Sequence, residues 1–133
     1  LGVTDSIRFL GARPSTWIAA EGPRYRGFVA PYVVCADGDR DTGPIVVKEA
    51  MAMGLPVLAS ALMGMREYVV PQTGRALRPG DVTALADGLA WLATLEDRQR
   101  AMLGAAARRR VCALYTLERQ AAGLAAAISG LRP

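Results

Sequence analysis

Hydrophobic and polar positions along the chain fall into two kinds of block. Short, largely apolar runs stand at Ile7–Leu10, Phe28–Val34, Pro56–Ala59 and Thr73–Leu77. Runs of that length, bounded by glycine, proline or polar residues, suit strands of a parallel sheet buried on both faces. Between them the spacing turns helical. It predicts a short helix around Ser15–Ala20, broken by Gly22-Pro23, a helix from Pro44 to Gly54, and a helical turn over Arg66–Val70. Helices then fill the last third. Pro79-Gly80-Asp81 is a turn whose Asp81 caps a helix carrying Val82, Leu85, Leu89 and Leu92 at helical spacing. Another helix covers about Asp97 to Leu114 with Met102, Leu103, Ala106 and Leu114 apolar, and Thr116 caps a final one carrying Leu117, Leu124 and Ile128. Strands alternating with helices, and helices gathered late, predict an α/β fold: a parallel sheet covered on both faces.

The stretch from Asp41 to Ser60 concentrates the chemistry. Thr42 or Gly43 serves as N-cap, and Pro44 suits the first helical position, where its missing N–H is no loss. Asp41 precedes the helix and Glu49 lies along it. At ~1.5 Å rise per residue, both fall within the span of one small polar ligand near the helix N-terminus. The positive end of the helix dipole favours an anion there, and a polyol phosphate satisfies both features. The competing reading of Glu49 is a surface ion pair with Lys48 or Arg40. Val46, Val47, Ala50 and Met53 mark the helix as largely buried, where an unpaired carboxylate is costly, so a ligand hydroxyl pair is the preferred partner. Lys48 reads as a plain solvent-facing residue.

Composition narrows the chemistry further. The 133 residues suffice for one domain with a real core, and 52% hydrophobic against 21% charged residues describes a globular chain. There is no histidine, which removes His-based acid–base catalysis, the usual serine and cysteine arrangements and most zinc sites. Cys35 and Cys112 lack metal or redox spacing, so a reduced, cytoplasmic setting is the expectation. The opening residues show no basic region leading into an apolar one, and the longest uncharged run is broken by Gly54 and Pro56. The start at Leu1 rather than Met suggests a fragment or a processed chain.

Asp41-x7-Glu49, followed by Ala50-Met51-Ala52-Met53-Gly54-Leu55-Pro56-Val57, closely resembles the Glu-x7-Glu block of retaining GT-B glycosyltransferases of family 4. Asp41 replaces the first Glu, and Thr42-Gly43 stand where Gly-Phe is usual. Ile7-Arg8-Phe9-Leu10-Gly11, Pro79-Gly80-Asp81 and an Arg-rich helix leading into Tyr115-Thr116-Leu117-Glu118-Arg119 extend the resemblance over nearly the whole chain. It implies a Rossmann-like, donor-binding C-terminal domain, incomplete on its N-terminal side, that binds a nucleotide-diphosphate sugar across its strand ends. Glu49 would accept hydrogen bonds from the ribose hydroxyls, and Asp41 would hold the donor sugar. Thr42, Gly43, Pro44 and Ile45 would line the donor site, the amides around Gly43 and Ile45 facing sugar or phosphate. The resemblance further implies that no metal is needed, because fixed positive charge replaces it. The acceptor, a sugar or a lipid-linked one, would bind a separate N-terminal domain absent from this chain, so the isolated fragment should be inactive. The alternative from another class is a non-catalytic nucleotide-binding remnant or partner subunit.

Three other signals point elsewhere. Counted from Asp37, an EF-hand calcium loop requires Gly sixth and Glu twelfth, and those positions hold Thr42 and Lys48. Asp37-Gly38-Asp39 spells the Asp-x-Asp of metal-dependent glycosyltransferases, but a solvated turn is the preferred reading. Arg108-Arg109-Arg110, with a net charge of +4, lacks the aromatic interleaving of a nucleic-acid surface. It reads as a solvated helix face with weak attraction to anionic acceptors or a membrane surface.

Overall fold

The computed structural model describes residues 2–40 and 43–130. Its elements are α1 (Ser15–Glu21), β1 (Phe28–Ala30), α2 (Ile45–Ala52), β2 (Val57–Ser60), α3 (Met65–Tyr68), β3 (Gly74–Leu77), α4 (Val82–Thr94), α5 (Asp97–Leu114) and α6 (Leu117–Gly130). The three strands form one parallel sheet in the order β1-β2-β3, with Val29 opposite Leu58 and Leu58 opposite Arg75. β2 is central and buried at every position.

Strand alternation sends successive β2 side chains to opposite faces. Val57 and Ala59 join Val47, Ala50 and Met51 of α2, Met65 and Tyr68 of α3, and Ala107 and Val111 of α5 in one core. Leu58 points the other way, against α4, where a Cβ added to Gly88 would lie 2.6 Å from its Cδ1. The sheet therefore has helices on both faces, as the run pattern predicts. α5 lies against α2 and seals the first face. That crossing is close because Gly54, at φ +77, ends α2 as the sequence predicts, and Gly104 of α5 meets its carbonyl.

Several expectations are corrected. Ile7–Leu10 forms no strand. Ile7 is extended, but a strand needs a neighbour to supply its ladder, and no described strand pairs with the segment; Phe9 is 89% exposed. The expected Phe28–Val34 strand stops at Ala30, because Pro31 has no N–H to continue the ladder, and Val33 and Val34 are half exposed. On α5 the buried positions are Gly104, Ala107 and Val111, whereas Met102 and Leu114 are exposed. Small residues face α2 because the helices approach too closely for large ones. α4 buries Gly88 and Leu92 but leaves Val82 and Leu89 exposed, and α6 buries no residue at all. Asp81 caps α4 as expected, accepting from the Ala84 amide at 2.8 Å.

Candidate functional site

α2 starts one residue later than its sequence suggests. Pro44 occupies the N-cap with extended ψ of 128° and Ile45 is the first helical residue. A proline N-cap carries no side-chain acceptor, and the amides of Ile45 and Val46 belong to the first turn, which has no intrahelical partner. The Val47 amide bonds the Pro44 carbonyl at 3.3 Å. Ile45 is 69% exposed, whereas Pro44 before it is buried. Gly43 lies just before it, where a Cβ would come within 3.0 Å of the Tyr68 hydroxyl; a larger residue would crowd that buried ring. Asp41 and Thr42, the sequence-predicted catalytic and cap residues, lie outside the described residues.

Glu49 follows four residues after Ile45, about 6 Å farther along the axis. The helix is half buried rather than largely so: Val47, Ala50 and Met51 are enclosed, Val46 is 43% exposed, and Glu49 itself is exposed. The argument that burial makes an unpaired carboxylate costly here is therefore withdrawn. The surface ion pair is not formed either, since Glu49 takes no part in the ion pairs of the described residues. Lys48 turns away from it. Its ammonium lies 5.2 Å from the Tyr68 ring centroid and 5.6 Å from that of Tyr115, two rings packed edge to face at 5.3 Å. Its reading as a plain solvent-facing residue is corrected; cation–π attraction fixes it between α3 and the end of α5.

Glu49 lines a cleft of about 540 Å³ together with Ser15 and Thr16 of α1, Ala52, Met53 and Arg108. Two hydroxyls, one carboxylate and one guanidinium around an apolar floor can recognise a polyol of moderate size. Nothing in the spacing reveals this grouping, because α1 and Arg108 lie far from Glu49 in sequence and only the docking of α1 and α5 beside α2 joins them. The arginine run is likewise more than a solvated face. Arg108 donates to the Ala52 carbonyl at 2.5 Å and Arg110 Nε to the Glu67 carbonyl at 3.1 Å, each neutralising acceptors where a helix ends. At the expected Asp37–Asp39 turn, Asp37 accepts from the Asp39 amide at 3.0 Å, which makes it a self-contained Asx turn.

An open parallel sheet with a polar cleft beside the helix that follows its first strand defines a Rossmann-like α/β domain, whose ligand sites gather at the strand ends. The chain belongs to the glycosyl transferases group 1 family, whose model matches residues 1–95. It is 32% identical over 108 residues to a protein of Escherichia coli K12 named for colanic acid biosynthesis, the glycosyltransferase WcaL, covering 80% of this chain and 27% of that one. It is 33% identical over 129 residues to the D-inositol 3-phosphate glycosyltransferase of Salinispora arenicola, covering 93% and 26%. The amylovoran biosynthesis glycosyltransferase AmsK of Erwinia amylovora is 35% identical over 83 residues, or 62% of this chain and 20% of the relative. The sucrose-phosphate synthase structure from Thermosynechococcus elongatus superimposes on 97% of this chain and 31% of its own, with a TM-score of 0.79 and 30% identity. The fold is that of a GT-B C-terminal domain, and the chain spans about a quarter of the curated relatives' length. No helix among the described residues is long and apolar enough to cross a membrane.

Proposed function

We propose that this chain is the donor-binding part of a retaining glycosyltransferase, taking a nucleotide-diphosphate sugar and working with an acceptor-binding domain outside it. The observation that carries the reading is Glu49: an exposed carboxylate, in no ion pair among the described residues, that shares a cleft with the Ser15 and Thr16 hydroxyls. A carboxylate accepts from both hydroxyls of a ribose diol, and neighbouring hydroxyls complete the polar lining. The amides of Ile45 and Val46 in the first turn of α2, which has no side-chain cap among the described residues, suit phosphate oxygens or a sugar hydroxyl. In this reading Asp41 holds the donor sugar near the carbon where positive charge develops during transfer, with Thr42, Gly43 and Pro44 forming the surrounding loop. No metal is required. Relatives named for colanic acid and amylovoran biosynthesis make a growing polysaccharide, presented as a sugar or lipid-linked acceptor, the first acceptor class to test.

The test separates the two carboxylates in the full-length protein that contains this domain. Glu49→Gln should weaken the sugar nucleotide and the bare nucleotide diphosphate alike, by about ten- to a hundredfold, the worth of one charged hydrogen-bond acceptor. Asp41→Asn should leave bare-nucleotide affinity nearly unchanged and lower turnover. Equal weakening of the bare nucleotide by both changes would refute the division of roles. No effect of either on binding or turnover would reduce both to surface polar residues.

A further inference from the structure

A second and larger groove, of about 1150 Å³, opens between β3, α4 and α5 and shares no residue with the Glu49 cleft. Its floor is apolar, with Leu103 half buried and Met102 63% exposed. Its rim is cationic. Arg75 on β3, and Arg98 and Arg109 on α5, all line it, and no aspartate or glutamate does. The Arg75 guanidinium is stacked 4.3 Å above the Trp91 ring, which holds the charge at the groove edge without neutralising it. None of the three arginines forms an ion pair among the described residues; those present engage Arg24, Arg26 and Arg100. Arg108 and Arg110 are spent on carbonyls, so Arg109 alone of that run remains to face the groove.

We infer that this groove binds a single anionic amphiphile, an alkyl chain carrying a phosphate head. Charge complementarity selects the head: guanidiniums fork onto phosphate oxygens, and an uncompensated cationic rim of three arginines favours a group of more than one negative charge. The floor selects the tail. An alkyl chain has no N–H or C=O to satisfy, and side chains such as Met102, Leu103 and Ala106 offer no partner to a polar one. A peptide could find the Gln72 and Gln99 amides and the edge of β3 in the same groove, but its polar backbone would also have to cover Met102, Leu103 and Ala106 without a partner there, which leaves it the less suited occupant.

Dodecyl phosphate, titrated below its micelle concentration into the protein and followed by calorimetry and tryptophan fluorescence, tests this directly. Dodecyl maltoside supplies the same chain with a neutral head, inorganic phosphate supplies the head alone, and an acidic amphipathic peptide represents a protein partner. Dodecyl phosphate should bind at least about tenfold more tightly than each of the three. Arg98→Glu with Arg109→Glu should weaken it by at least about tenfold, and Met102→Gln, which makes the floor polar without adding a charge, should weaken it independently. All three positions are exposed, so thermal midpoints should match the parent. Equal binding of dodecyl maltoside, tighter binding of the acidic peptide, or undiminished binding by the double arginine variant would overturn the inference. The readout needs neither donor nor transfer, so it succeeds or fails apart from the Glu49 reading.

Discussion

Gly104→Ala should destabilise the domain although alanine is the better helix former. An alanine Cβ at this position would lie 1.9 Å from the Gly54 carbonyl oxygen and 2.8 Å from its carbon. Both obstacles are backbone, so no side chain can rotate aside. α5 would have to retreat by more than 1 Å to reach an ordinary carbon–oxygen contact of about 3.3 Å. That retreat would loosen Ala107 and Val111 from the core they share with Val47 and Met51, and would stretch the Arg108 bond to the Ala52 carbonyl. Helix propensity favours alanine by about 1 kcal/mol, and overpacking of this kind costs about 1–3 kcal/mol and sometimes more. Because both obstacles are backbone, the cost falls at the upper end of that range, about 2–3 kcal/mol, so the expected net loss is roughly 1–2 kcal/mol, a fall in Tm of about 3–8 °C for a domain of this size. Ala105→Gly, at the neighbouring exposed position, isolates propensity and should cost about 1 kcal/mol. Urea and thermal melts followed by circular dichroism measure both. If Gly104→Ala instead raises stability by the propensity gain alone, α5 does not pass Gly54 at this distance and the account of the helix crossing is wrong.

Further predictions concern the cap and the ligand. Asp81→Ala removes the acceptor for the Ala84 amide and should cost about 1 kcal/mol, whereas Asp81→Asn should retain most of it; urea denaturation checks both. Donor affinity in the full-length protein should be the same with and without a chelator by calorimetric titration, and a large loss on chelation would restore Asp37-Gly38-Asp39 as a metal-binding motif. The Glu49→Gln and Asp41→Asn comparison remains the direct test of the site.

Sequence pattern alone determined the helices and three of the four expected strands, because apolar runs and glycine or proline breaks act locally. Gly54 ends α2 through its positive φ and Asp81 starts α4 through its carboxylate, and each effect reaches only a few residues; the stop of β1 before Pro31, equally local, was passed over by the apolar run Phe28–Val34. The Asp41-to-Val57 block likewise placed Glu49 on a helix beside a strand end before any coordinates were considered. Tertiary structure decided what each face meets. The sequence marked Met102, Leu103, Ala106 and Leu114 as the apolar positions of α5, yet Gly104, Ala107 and Val111 are the buried ones, because distance to α2 rather than hydrophobicity selects the residues at that crossing. Lys48 looked solvated until two aromatic rings from elsewhere in the chain closed over it. Ser15, Thr16 and Arg108 gained a shared cleft with Glu49 only when α1 and α5 docked against α2. Ile7–Leu10 shows the reverse: its apolar residues favour a strand, but a strand exists only where another supplies its hydrogen bonds, and that condition is not written in the segment itself.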